Sequence, residues 1–333
     1  MKKYGYVDVA KLFFALMVVL LHSNALEVDN IIVRVFQHSV CQIGVPFFFV
    51  SAGFFLEQKI RIGGGTYLKK YVKRLFIPFI FWLILNYPLK LYSYYKLGFL
   101  KTILLTIRDL VFYPWGAMWY VLALIVASII CCYFYKKDKL NQLFFIGLTL
   151  YSFALLCNNY YFLVSNTFFS KIVEGYLNIA VSARNGIFEG ILFVSIGMLI
   201  STKKSKISKV KWNYMLFMNI FFYLILILEI ISIKLYGYKD DGSLFITYVF
   251  IVPLLFCLLI KKDTPFDSSI IRNYSSGIYF THRFILGCLS LLFLLLKISV
   301  PNYILFFITI AISFVMLKIL YLFDNKYINM LIK

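Results

Sequence analysis

Ten blocks of mostly apolar residues, each near the length that crosses a bilayer, recur along this chain. A span takes about 20 such residues. The blocks fall near 7–26, 39–57, 73–93, 116–135, 141–157, 185–201, 213–235, 243–260, 274–296 and 302–323. Hydrocarbon offers backbone groups no water, so each span must satisfy its own N–H and C=O groups as a helix. The expected fold is all-α: an integral membrane bundle of about ten transmembrane helices, forming one membrane-embedded domain over residues 1–333. Composition excludes the soluble alternative. Here 62% of residues are hydrophobic and 14% charged, where a soluble domain has about 45–50% and about 25%.

Charge sets the expected orientation. With the N-terminus inside, 21 Lys and Arg residues fall on inner segments and 10 on outer ones. That bias follows the positive-inside rule and puts both termini in the cytoplasm. It also accounts for the net charge of +20 without any nucleic-acid partner. Lys2 and Lys3 ahead of an apolar stretch imitate a signal peptide. Asp8 and Lys11 interrupt that stretch, so an uncleaved first helix is expected. Cys41, Cys131, Cys132, Cys157, Cys257 and Cys288 lie in or at the edge of apolar segments without metal-ligand spacing. They read as small apolar fillers, and no metal site is expected. Residues 97–112 carry Lys101, Arg108 and Asp109 on an apolar helical pattern and read as an interfacial helix. Residues 158–184 read as a long, polar, irregular loop, and Gly63-Gly64-Gly65 as a turn.

Ionisable groups inside a span are costly and are functional candidates by default. The first helix holds three: Asp8, Lys11 and His22. Lys11 and His22 are eleven residues apart, almost three whole turns, so they share a face with about 16 Å between them. The plainer reading makes Asp8 and Lys11 snorkelling anchors. The functional reading makes His22 a proton-transfer group, for which imidazole is suited near neutral pH.

Other blocks stand out. GVPFFFVSAGFFL (44–56) has small Gly44, Ser51, Ala52 and Gly53, as close helix packing requires. YLKKYVKRLFIPFIFW (67–82) clusters Lys69, Lys70, Lys73 and Arg74. These cations suit lipid headgroups or the phosphates of a cytoplasmic donor. Trp115 to Ala123 reads as an outer aromatic belt. Arg184 and Asn185 mark an outer mouth with Glu189 about one turn inside; a five-residue spacing implies no Arg184–Glu189 salt bridge. SGIYFTHRF (276–284) puts His282 and Arg283 about eight residues into the ninth span, and Glu229 is a further acid in the seventh.

Together these blocks resemble the acyltransferase-3 family of multispan membrane acyltransferases. Lys11-x10-His22 resembles its basic-x10-His signature, with Asp8 at the acidic position before it. GVPFFFVSAGFFL resembles its GVxxFFVxSGFL block, Trp119-Tyr120 its Trp-Phe/Tyr block, and Ser276 to His282 its S-x-x-Y-x-x-H block. The family's Arg-x-x-Arg register falls here on Tyr71 and Arg74, with Lys70 and Lys73 as substitutes. The block at Arg184-Asn185-Gly186 resembles a subgroup that includes the membrane half of the vancomycin-resistance serine racemase, associated with serine uptake.

The resemblance implies a plasma-membrane enzyme that moves an acyl group, often acetyl, from cytoplasmic acyl-CoA. The acceptor would be a hydroxyl or amine of an envelope glycan, lipid or exported metabolite. His22 would be the base or transient acyl carrier, assisted by Lys11 and Asp8. Lys70, Lys73 and Arg74 would hold the donor. Ser51, Trp119, Tyr120, Arg184, Asn185, Glu189, Tyr279 and His282 would line the acceptor path or a pore. Acyl-CoA is then a co-substrate, with no bound cofactor, and the expected partners are the donor, the acceptor and membrane lipid. The rival reading is a transporter for a small solute such as serine, which sparse intramembrane charges also suit.

Overall fold

The computed structural model describes residues 4–26, 30–94, 97–236, 242–262, 266–323 and 325–332. Lys2, Lys3, Lys96, Lys239 and Lys333, used above to orient the chain, lie outside them. The described residues form helices and no strand. In chain order the helices are α1 (Gly5–His22), α2 (Ile31–Phe36), α3 (Gly44–Tyr94), α4 (Phe99–Phe112), α5 (Met118–Lys136), α6 (Leu140–Leu156), α7 (Phe169–Ala180), α8 (Ile191–Thr202), α9 (Lys204–Lys209), α10 (Trp212–Leu235), α11 (Tyr248–Lys261), α12 (Ser269–Leu296), α13 (Asn302–Leu322) and α14 (Lys326–Ile332). Single π-turns, Gln37–Cys41 and Gly186–Gly190, follow α2 and precede α8.

Six helical stretches among these are long and apolar enough to cross a membrane: Gly5–His22, Ile31–Leu91, Met118–Lys136, Trp212–Leu235, Ser269–Leu296 and Asn302–Leu322. Leu140–Leu156, Gly186–Thr202 and Tyr248–Lys261 are apolar but shorter. The expected second and third spans both fall in Ile31–Leu91, where α3 is broken at Gly64, with φ 58° and ψ −152°. Only glycine takes that conformation cheaply, which is why the Gly63–Gly65 run sits there. Outward-facing Phe217, Leu228, Phe307, Val315 and Leu322 are more than half exposed. In water such faces would drive aggregation; in lipid they cost nothing. The chain is a multi-pass membrane protein.

Residues 158–184 depart from expectation. They hold a 3₁₀ turn at Tyr161–Leu163 and the amphipathic helix α7, in place of an irregular loop. α12 starts at Ser269, ahead of the expected 274, so His282 lies midway along it. Cys288 is exposed and Cys157 half-buried; the other four cysteines are buried, and all six are free.

The chain divides into two compact units, residues 1–44, 73–119 and 264–333, and residues 45–72 and 120–263. In the first unit α1, α12 and α13 pack together. α1 and α12 run parallel: Asp8, near the start of α1, bonds Ser268 at the start of α12, 2.7 Å apart. α13 runs the other way, its first residue Asn302 donating to the Asn24 carbonyl just past α1. Lys297 ends α12 in the left-handed conformation, its N–H on Leu294 and Phe293 carbonyls. α12 and α13 meet at Gly277, where an added Cβ would lie 2.5 Å from a Leu317 methyl.

The second unit is built on small residues. A Cβ on Gly53 would lie 2.1 Å from the Val194 carbonyl oxygen, and one on Gly197 2.0 Å from that of Val50. α3 and α8 therefore touch backbone to backbone, as small-residue membrane interfaces do. Phe47, Phe54 and Phe256 fill the space beside them edge to face. Glu229 has a structural task. Its carboxylate accepts the Ile246 and Thr247 N–H groups and the Tyr160 and Thr247 hydroxyls. It thereby satisfies the backbone that enters α11, with Asn158 taking the Ser243 and Leu244 N–H groups beside it.

Candidate active site

The first unit gathers the chemistry of α1. Asp8 is buried, its Oδ2 accepting from Ser268 and lying 3.8 Å from Nη1 of Arg272. Lys11 is half-buried one turn on, close enough to Arg272 and Arg74 for their charges to act on it. One carboxylate thus stands among three cations at this end of the unit.

Parallel packing carries the other end. Fourteen residues separate Asp8 from His22, and fourteen separate Ser268 from His282, about 21 Å of rise on each helix. The two imidazoles accordingly meet, stacked with ring centroids 5.4 Å apart and planes 21° apart. His282 is fully buried, and its Nδ1 lies 3.0 Å from the Ile278 carbonyl oxygen. A carbonyl only accepts, so Nδ1 carries the proton and Nε2 is a bare acceptor. That Nε2 has no hydrogen-bond partner among the described residues.

The turn before α5 closes this end. Gly116 and Ala117 both have positive φ, 74° and 68°. The Ala117 carbonyl, set by that strained backbone, accepts the Tyr279 hydroxyl. Trp115 stands over the Arg283 guanidinium at 5.3 Å, and Tyr113 stacks on Trp119 at 5.7 Å. Trp119, expected in an interfacial belt, is buried. Lys73 and Arg74 are exposed on α3.

The second unit holds the remaining sequence candidates. Asn185 Oδ1 caps the π-turn at the Ile187 and Phe188 N–H groups, and its amide donates to the Tyr176 hydroxyl. Burial raises the Tyr176 phenol above its usual value, the Asn185 bond opposing it. Arg184 is half-buried, its N–H on the Ser182 hydroxyl. Glu189 is buried within the π-turn; its Oε2 lacks a hydrogen-bond partner and no described residue forms an ion pair with it. Ser51 is buried with an unbonded Oγ, Tyr120 packs on Phe49 at 4.7 Å, and Lys70 is exposed.

Sequence reasoning missed Ser268, Arg272 and the weight of Arg283, and it missed Glu57. Glu57 is fully buried and accepts from the Tyr135 and Ser201 hydroxyls, with Arg61 one turn on at 3.6 Å. Arg272 and Arg283 repeat the eleven-residue spacing of Lys11 and His22. That repeat is visible in the sequence and would have nominated both. Among the described residues no His, Cys, Asp and Glu cluster could hold a metal.

Comparison with known proteins agrees with the resemblance. The acyltransferase-3 model, described as an acyltransferase domain, matches residues 4–321. An "Amino-acid racemase" of Enterococcus faecalis is 26% identical over 77% of this chain and 35% of its own length. A second protein of that name from E. faecalis is 21% identical over 94% of this chain and 45% of its own. A "Serine/alanine racemase" of Enterococcus gallinarum is 25% identical over 78% and 37%. The chain therefore spans less than half the length of these curated relatives. No solved structure matches. The match over almost all of its residues makes this chain a member of the acyltransferase-3 family.

Proposed function

We propose that the protein transfers an acyl group, acetyl being the expected one, from cytoplasmic acyl-CoA to a hydroxyl or amine of an envelope glycan, lipid or exported metabolite. In this reading it sits in the plasma membrane with ten spans and both termini inside. The supporting observation is the His22–His282 pair, with His282 fully buried and His22 half-buried. His22 takes the acceptor's proton as its oxygen or nitrogen attacks the thioester carbonyl. The C–S bond then breaks, and the departing CoA sulfur receives the proton from His22. Ester or amide and free CoA are the products, so no other reactant is needed. Lys11 and Asp8 hold the charge balance along α1, and Lys70, Lys73 and Arg74 are assigned the donor's phosphates.

The test is CoA release from acetyl-CoA by vesicles holding the purified protein, with an envelope extract as acceptor source. Wild type should release CoA only with extract, and His22→Ala should lose at least about a hundredfold. Equal turnover by a correctly inserted His22→Ala protein would end the assignment.

The unbonded, buried Glu189 oxygen near Arg184 favours a second reading. Here the second unit binds a solute for transport, an amino acid by analogy with the names of the relatives. Uptake of labelled serine into acyl-CoA-free vesicles would support it; no uptake would exclude serine.

A further inference from the structure

We infer that Arg283 anchors a carboxylate or phosphate group of a hydroxylated ligand, with the hydroxyl end lying at His282. The Arg283 guanidinium lies against the Trp115 ring, and its Nε is shut from solvent with no hydrogen-bond partner. No described carboxylate lies within 4.0 Å of it. The side chain is half-buried, and a guanidinium partly withdrawn from water gains from a counter-charge that no described residue supplies. Its planar fork matches a carboxylate or phosphate in two parallel hydrogen bonds. Four residues earlier on the same helix face, Tyr279 is fixed by the Ala117 carbonyl, so the wall beside Arg283 is rigid.

Two acceptors nearby also lack donors. His282 Nε2 is one. The other is Oδ1 of Asn86, a fully buried side chain whose amide is used on the Trp82 carbonyl. Asn86 packs against Gly116, where an added Cβ would lie 3.3 Å from its Cγ. One unpaired donor group and two unpaired acceptors specify a ligand that brings an anion and hydroxyls together. Sugar acids and polyol phosphates are such compounds; a neutral polyol is not. Naming this ligand as the acyl acceptor rests on the acyl-transfer reading. The anion site itself does not.

The experiment uses the full-length protein in detergent and follows its thermal unfolding midpoint. Glycerol 3-phosphate and glucuronate are the probes, glycerol the neutral control, and sodium chloride the ionic-strength control. Glycerol 3-phosphate or glucuronate should raise the wild-type midpoint by about 2–4 °C at tenfold the half-saturating concentration. Glycerol and chloride should not. Arg283→Gln should abolish the shift, and Arg283→Lys, which keeps the charge, should retain part of it. Monodisperse elution of both variants shows that they fold; if Arg283→Gln does not fold, Arg283→Lys must weaken half-saturation at least about tenfold. A larger shift with the phosphate or with the carboxylate names the anion. No shift in wild type with either probe, or an undiminished shift in a folded Arg283→Gln protein, overturns the site. A shift without CoA release in the vesicle assay keeps the site and sinks the acyl-transfer reading.

Discussion

The rings of His22 and His282 stack 5.4 Å apart because Asp8 and Ser268, an equal number of residues back along two parallel helices, are joined by a 2.7 Å hydrogen bond. A slip of one residue between the helices would turn each imidazole by about 100° and shift it by about 1.5 Å. The Asp8–Ser268 bond therefore sets the register at which the imidazoles meet. Asp8→Ala removes the acceptor of Ser268 and the carboxylate beside Arg272. It should cost about 1–3 kcal/mol, read as a lower unfolding midpoint, and should depress acyl transfer although the residue lies about 21 Å from His22. Ser268→Ala should cost about 1 kcal/mol and slow transfer less. Unchanged stability in Asp8→Ala would remove it from the register role.

Close contact between α3 and α8 makes a sharper prediction. Gly197→Ala would drive a methyl to 2.0 Å from the Val50 oxygen, which only a backbone shift relieves. Overpacking of this kind costs about 3 kcal/mol, enough to remove the monodisperse peak in size-exclusion chromatography. Gly175→Ala, in the middle of α7 with open space around it, should gain about 0.5–1 kcal/mol. The contrast separates a packing requirement from a general intolerance of alanine.

The apolar blocks made the helices legible because lipid imposes one simple rule on backbone. Lys11 and His22 were legible because eleven residues is nearly a whole number of turns. What stayed hidden was pairing between distant segments. Nothing in a helical pattern says that Ser268 meets Asp8, or that Glu57 serves Tyr135 and Ser201. Glu229 shows the reverse case: an acid whose place in a span suited chemistry and a polar helix contact equally is half-buried and engaged with the backbone that enters α11. Trp119 looked like a surface marker because aromatic belts and buried aromatic walls have the same composition.

Tyr160 ties pH to that cap. Burial, then the Glu229 carboxylate, raise its phenol above the ordinary value near 10. The unfolded chain thus releases this proton at lower pH than the folded one. Stability from the Tyr160–Glu229 bond is complete below about pH 10 and falls as pH rises beyond it. Wild type should lose part of its thermal stability between about pH 10 and pH 11. Tyr160→Phe should be less stable at neutral pH by about 1–2 kcal/mol and should lack this alkaline loss. Parallel alkaline curves for the two proteins would assign the loss to other groups.

Lys73 and Arg74 supply the last prediction, which separates donor recognition from catalysis. Both are exposed cations, so their attraction for a phosphate is screened by salt and acts mainly on binding. Coenzyme A carries phosphates, whereas a pantetheine thioester offers the same reacting carbonyl without them. If these side chains hold the donor, Lys73→Gln with Arg74→Gln should raise KM for acetyl-CoA by about tenfold to a hundredfold. Turnover at saturation should stay within about threefold, and transfer from the acetyl-pantetheine thioester should be unaffected. Added salt should raise the wild-type KM for acetyl-CoA and leave that of the double variant nearly flat. A wild-type preference for acetyl-CoA over the pantetheine thioester that survives both substitutions would place the nucleotide elsewhere. Lys73 and Arg74 would then be left as anchors for anionic lipid.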